Sequence, residues 1–210
     1  MDLKKQLSNV YFIMGTNCGG KTSIAKALSK KHGMYFYSAD EQYWAHRKKT
    51  SSENQPNMNR PFYDWQEYFS RNPKEQAAWL LRSKEEQIPF IIEDLIELSK
   101  NHKHVIVDTY ASETLYKEIS VPERVVFLGA PIETIYDEFF DREDKQDLLN
   151  VIKREIDPVE KGIEQVKRVA IHIAIKEFEM AYFSQTTKHV RLPDTLFEER
   201  IMWVENHFKL

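Results

Sequence analysis

Short apolar runs and longer amphipathic stretches alternate along this chain. The apolar runs occupy residues 9–14, 34–39, 104–107, 124–128 and, more weakly, 188–192, and several end at a glycine or an aspartate. Runs of four to eight residues bounded by turn signals suit buried strands. After the first, Ile24, Ala25 and Leu28 recur at helical spacing, Lys30, Lys31 and His32 crowd the end of the pattern, and Gly33 follows as a left-handed cap. Pro73 opens a long pattern with Ala77, Leu80, Leu81, Ile88, Ile91, Ile92, Leu95 and Leu98 as its stripe, and Pro89 is expected to kink it. A further helix is expected over 158–183. Asp194 is expected to cap a last one carrying Phe197, Ile201, Val204 and Phe208.

Strands alternating with helices imply an α/β protein with a parallel sheet covered on both faces. Residues 41–100 form a long helical insertion between the second and third strands. No repeat, linker or low-complexity tract divides the 210 residues, so one domain is expected over 1–210.

Composition narrows the function classes. A net charge of -3 gives no global attraction to nucleic acid or to an anionic membrane. No apolar run reaches the ~18 residues of a membrane span, and the first residues do not read as a signal peptide. A single cysteine, Cys18, rules out an internal disulfide framework. Together these give the expectation of a cytoplasmic protein without nucleic-acid or membrane partners.

Glycine is scarce, six in the chain, yet Gly15, Gly19 and Gly20 fall within six residues. The segment Gly15-Thr16-Asn17-Cys18-Gly19-Gly20-Lys21-Thr22, followed by Ser23, fits G-x-x-x-x-G-K-[ST] without a mismatch, after an expected strand and before an expected helix. In that motif the glycines let amide hydrogens converge on phosphate oxygens, and the helix N-terminus adds its positive end. Lys21 is placed to bridge the β- and γ-phosphates of ATP, and Thr22 to offer a hydroxyl to Mg²⁺.

On this motif and the order of its elements, the chain resembles P-loop kinases of the nucleoside monophosphate kinase and shikimate kinase type. The resemblance implies a three-layer P-loop NTPase fold with five parallel strands in the order 2-3-1-4-5. It also implies a substrate-holding insertion after strand two and an arginine-bearing lid after strand four, here about 141–157. Asp108, at the end of Val105-Ile106-Val107, resembles the aspartate that holds magnesium through water; it could instead cap a turn. Thr109 follows it, so the second acid that many ATP-driven motors use is absent, and so is the guanine signature Asn-Lys-x-Asp. Asp40, at the end of strand two, stands where similar kinases contact the acceptor hydroxyl; it could instead cap the helix starting near Glu41, the fallback acid. Arg142 resembles a lid arginine and could equally pair with Glu138; Lys145 and Arg154 are alternatives. The loop at 191–195, Arg-Leu-Pro-Asp-Thr, is where the resembled enzymes touch adenine.

The insertion is rich in aromatics, Tyr43, Trp44, Phe62, Tyr63, Trp65, Tyr68 and Phe69, which could wall an acceptor pocket or form a small core. Subfamily signatures are missing: Asp108-Thr109-Tyr110-Ala111 replaces the Asp-Gly-Phe-Pro-Arg of adenylate kinases, and neither Asp-Arg-Ser nor a triple glycine is present. The expected activity is therefore Mg²⁺- and ATP-dependent phosphorylation of a small-molecule or nucleotide acceptor, possible acceptors reaching the size of a nucleotide-sugar. A nucleotide-binding module or ATPase without an acceptor is the alternative.

Overall fold

The computed structural model describes residues 2–112, 114–119, 121–192 and 194–210. Pro193, within the 191–195 loop, lies outside them. The chain is α/β, with five strands in one all-parallel sheet of order β2-β3-β1-β4-β5. In chain order the elements are α1 (Leu3–Gln6), β1 (Val10–Gly15), α2 (Lys21–His32), β2 (Tyr35–Ser38), α3 (Ala39–Arg47), α4 (Trp65–Ser70) and α5 (Pro73–Asn101). They continue with β3 (Val105–Asp108), β4 (Val125–Gly129), α6 (Ile132–Glu138), α7 (Gln146–Glu155), α8 (Val159–Phe183), β5 (Lys188–Val190) and α9 (Phe197–Phe208).

The period-2 alternation of β1 explains why helices cover both faces. Val10, Phe12 and Met14 point to one face and pack with Ile88, Ile91 and Leu95 of α5. Ile13 points to the other and packs with Ile24, Ala25 and Leu28 of α2 and Val204 and Phe208 of α9. β1 pairs β3 on one side, Val10 opposite Val105, and β4 on the other, Gly15 opposite Leu128. Its C-terminal end therefore opens between two strand ends, where open parallel sheets place their ligands. A third cluster joins α6, α7 and α8 through Ile135, Ile152, Val166 and Ala170.

Five details set the structure beside the reading of the sequence. The strands β1, β3 and β4 each start and end one residue later than the apolar runs. Asp194 does not cap α9; Leu196 takes that position, and its amide donates to Glu199 Oε2 at 3.3 Å. Pro89 lies inside α5 without ending it. The segment expected to form a lid is helical over most of its length, with a 3-10 turn at Glu143–Lys145 running into α7. The insertion aromatics divide: Trp65, Tyr68 and Phe69 pack against the α6–α8 cluster, whereas Trp44, Phe62 and Tyr63 are exposed.

Candidate functional site

Residues 16–20 leave β1 and turn back over the end of β4 before α2 begins. Close approach explains the glycines. A Cβ on Gly15 would stand 1.9 Å from the Leu128 carbonyl oxygen, and one on Gly19 2.3 Å from the same atom. Gly15 and Gly20 have φ of 142° and 79°, and Cys18 is itself left-handed at 59°. Thr16 ties the loop down: its amide donates to Leu128 O at 3.1 Å, and its hydroxyl accepts from the Ala130 amide at 2.9 Å. Thr16 is thus a brace, with its side chain fully buried. Gly15→Ala has neither the space nor the backbone conformation. It is expected to lower the unfolding free energy by ~3 kcal/mol or more, measured by urea denaturation. A midpoint equal to wild type would contradict this packing of loop on β4.

The start of α2 faces into a cleft of about 790 Å³. Gly20 gives it no side-chain cap, and no acidic residue stands in its first turn. The first helical amides therefore keep their hydrogens for another acceptor. Lys21 Nζ donates to Thr16 O at 2.9 Å, which folds the side chain back along the loop. Thr22 Oγ1 donates to Asp108 Oδ2 at 2.5 Å. The pair joins a loop hydroxyl to the end of the neighbouring strand, 86 residues away. Burial pushes the Asp108 carboxyl up, against the opposing pull of Lys21 and the Thr22 hydroxyl.

Asp40 and Glu41 also line the cleft. The cap of α3 is Ser38, whose hydroxyl accepts from the Glu41 amide at 3.4 Å, so Asp40 is not consumed as a cap. Polar contacts beneath it fix this corner: Gln87 Nε2 donates to Ala39 O at 2.8 Å, and Asp94 Oδ2 lies 2.8 Å from both Tyr37 Oη and His46 Nε2. Asp40 is exposed to solvent in the cleft, yet the surrounding protein disfavours its charged form. The cations Lys84, Lys21, Lys145 and Arg142 outweigh this effect and hold the carboxyl below the usual range. Lys84 also faces Glu177, an acid buried on α8 whose carboxyl burial pushes up.

Arg142 reaches the loop. It is extended, between 3-10 turns at Phe139–Asp141 and Glu143–Lys145. Its Nη1 donates to Asn17 Oδ1 at 3.0 Å, while Nε and Nη2 donate to the two oxygens of Asp144 at 2.9 Å. Glu138, its expected partner, takes Arg191 instead, at 2.6 Å from Nη1. Of the alternatives, Lys145 pairs with Asp144 at 2.7 Å and faces Asp40, whereas Arg154 is exposed and pairs with Glu155. The aromatics of the insertion do not line this cleft.

Three cations here were not expected from the sequence: Arg200, Lys84 and Lys26. Arg200 of α9 is 4% exposed, lies behind the Gly19–Gly20 turn and donates through Nη2 to Gly19 O. No carboxylate among the described residues pairs with it, and burial together with Arg191 lowers its pKa. Its signal in the sequence was weak, an arginine inside an amphipathic helix 181 residues from the loop.

Cys18 lines the cleft, and burial raises its thiol pKa despite Arg142 nearby. A raised pKa means that thiolate accumulates only at alkaline pH, so the alkylation rate should keep climbing beyond pH 9. If the loop holds nucleotide phosphates, saturating ATP-Mg should suppress labelling by a bulky maleimide about ten-fold or more, read by mass spectrometry. A rate that levels off below pH 8, or one indifferent to nucleotide, would contradict this placement.

The chain matches no family model and none of the curated proteins with which it was compared. No helix among the described residues is long and apolar enough to cross a membrane.

Proposed function

We propose that the chain is a P-loop kinase that transfers the γ-phosphoryl group of ATP to a small acceptor, with Mg²⁺ as cofactor. The observation that carries this reading is the Thr22–Asp108 hydrogen bond beside Lys21. Two residues assigned to the metal on separate sequence arguments meet next to the loop lysine, at an uncapped helix N-terminus. The buried Arg200 supports it too. A guanidinium taken out of water without a counter-charge costs several kcal/mol, which a bound polyphosphate offsets.

The donor set suits magnesium. A hydroxyl and a carboxylate are hard oxygen groups, and Mg²⁺ keeps most of its other positions for water and phosphate rather than for a protein cage. When bound, the ion would neutralise charge on the phosphates.

In this reading the amides of residues 17–23 and the start of α2 hold the β- and γ-phosphates. Lys21 leaves Thr16 O for the phosphate oxygens. Arg142 leaves Asp144 for the group in transit; this half-exposed pair is worth ~1 kcal/mol or less, so the exchange is easily driven. Asp40 receives the acceptor's hydroxyl proton. Its lowered pKa makes it a weak base, which suffices if the transition state is loose and the proton moves late.

Calorimetry tests the nucleotide half of the proposal: ATP with Mg²⁺ should bind in a one-to-one ratio, and absence of binding overturns it. For the lid, Arg142→Ala is expected to lower kcat by about 10²-fold or more while weakening ATP binding only a few-fold, because the contact forms mainly in transit. Losses in kcat of ten-fold or less would leave Arg142 as a partner of Asp144 alone.

A further inference from the structure

A second, smaller cavity of about 130 Å³ lies beside the phosphate cleft: Asn17 and Lys145 on its wall are chain neighbours of Thr16, Cys18 and Asp144 on the wall of the cleft. Its walls come from α5, α7 and α8: Leu80, Leu148, Val166, Val169, Ala170 and Ile173. Polar groups are few. Tyr68 and Gln76 both line the cavity, and Gln76 Oε1 accepts from Gln165 Nε2 at 2.8 Å. Asn17 Oδ1 accepts from Arg142, and Lys145 is held by Asp144.

The chemistry of these walls restricts what can enter. Burying a charged group there would strand it among aliphatic side chains at a cost of several kcal/mol. The one cation on the cavity, Lys145, already faces Asp144 and Asp40. A phosphate-bearing acceptor such as a nucleoside monophosphate would find no counter-charge inside. The volume is close to that of a dry apolar cavity of about 150 Å³ that accepts benzene in another protein. We propose that this slot holds the body of the acceptor, and that the acceptor is a small uncharged alcohol with an apolar portion the size of one ring.

Such an alcohol fills the slot with its ring and turns its hydroxyl past Asn17 and Lys145 towards the phosphate cleft. The hydroxyl oxygen then forms a bond to the γ-phosphorus. The bond from that phosphorus to the β,γ-bridging oxygen breaks, its electron pair leaves with ADP, and the hydroxyl proton passes to Asp40. The assignment of the acceptor rests on the kinase reading, whereas occupancy of the slot can be measured without nucleotide.

The test is a titration of protein carrying ¹³C-labelled Ile, Leu and Val methyl groups, followed by NMR, with benzyl alcohol and cyclohexanol as probes and glycerol as the polar control. The expected result is a saturable shift of the Leu80, Val166, Val169 and Ile173 methyls with both apolar alcohols and none with glycerol. Leu148→Trp and Ala170→Leu each put bulk into the slot and should weaken that response by about ten-fold or more. Leu148 is half-exposed on α7, so its variant is the one expected to fold without loss if the change at buried Ala170 is not tolerated. Unmoved slot methyls, an equal response to glycerol, or a folded variant that responds like wild type overturns the inference. Failure of ATP-Mg to bind while the slot still responds overturns the kinase reading instead.

Discussion

Lys21→Met is expected to abolish turnover, by about 10³-fold or more, and to leave the fold standing. Lys21 Nζ donates to the Thr16 carbonyl, which also accepts from the Gly19 amide at 3.3 Å. Removing the ammonium therefore leaves no buried acceptor unpaired, and the unfolding midpoint should stay near wild type. With ATP bound the same group is the only side-chain cation in the loop itself. Its loss removes charge stabilisation that the amide dipoles and the other cations lining the cleft, Arg142, Lys26 and Arg191, replace only in part. Calorimetry and steady-state rates check both halves. Unchanged ATP affinity and an unchanged rate would mean that the loop does not hold phosphate.

Asp40→Asn should separate from Asp108→Asn, although Asp108 ends β3 and Asp40 stands close by, in the first turn of α3 just beyond neighbouring β2. The asparagine at 40 keeps the size of the side chain but cannot take a proton, so acceptor phosphorylation should fall by about 10²–10⁴-fold with ATP binding little changed. Removing this negative charge from among Lys84, Lys21, Lys145 and Arg142 leaves those cations less compensated, so ATP could bind slightly more tightly. Asp108→Asn should instead raise the Mg²⁺ concentration needed for activity, because the side chain beside Thr22 loses its charge. A magnesium titration of both variants at saturating ATP and acceptor distinguishes them. Rescue of Asp40→Asn by magnesium would exchange the two roles, and wild-type behaviour would move the proton acceptor to Glu41, which lines the same cleft.

Much of this arrangement was legible because the signals were local. The apolar runs gave the strands to within a residue or two, and the glycines of residues 15–20 marked a turn that packs backbone against Leu128. Thr16, Cys18 and residues 20–23 of the loop, Asp108 and Asp40 all line one cleft, since a motif and the ends of two apolar runs are positions that short-range patterns reveal. What stayed hidden depends on tertiary contact. Arg200 reaches Gly19 from the last helix, and Lys84 faces Asp40 from the middle of α5, yet each reads in sequence as one more charge on an amphipathic helix. The partners of Arg142 and Glu138 also depend on tertiary contact. Helical spacing suggested that they pair with each other, but α6 ends at Glu138 and the chain turns twice before α7, which swings Arg142 onto Asn17 and frees Glu138 for Arg191. The apolar slot could not be anticipated, because its walls come from three helices whose stripes each read as ordinary core.

The central claim is transfer of a phosphoryl group rather than its mere release, and following the label from [γ-³²P]ATP tests it most directly. The protein is incubated with ATP and Mg²⁺, with and without a library of small alcohols and other metabolites, and the labelled products are separated. The account predicts negligible loss of label from ATP without an acceptor and a new labelled phosphate ester with at least one uncharged alcohol, absent with Lys21→Met. Slow release of inorganic phosphate that no compound accelerates, with no labelled ester formed, would contradict it and leave a nucleotide-hydrolysing module in its place.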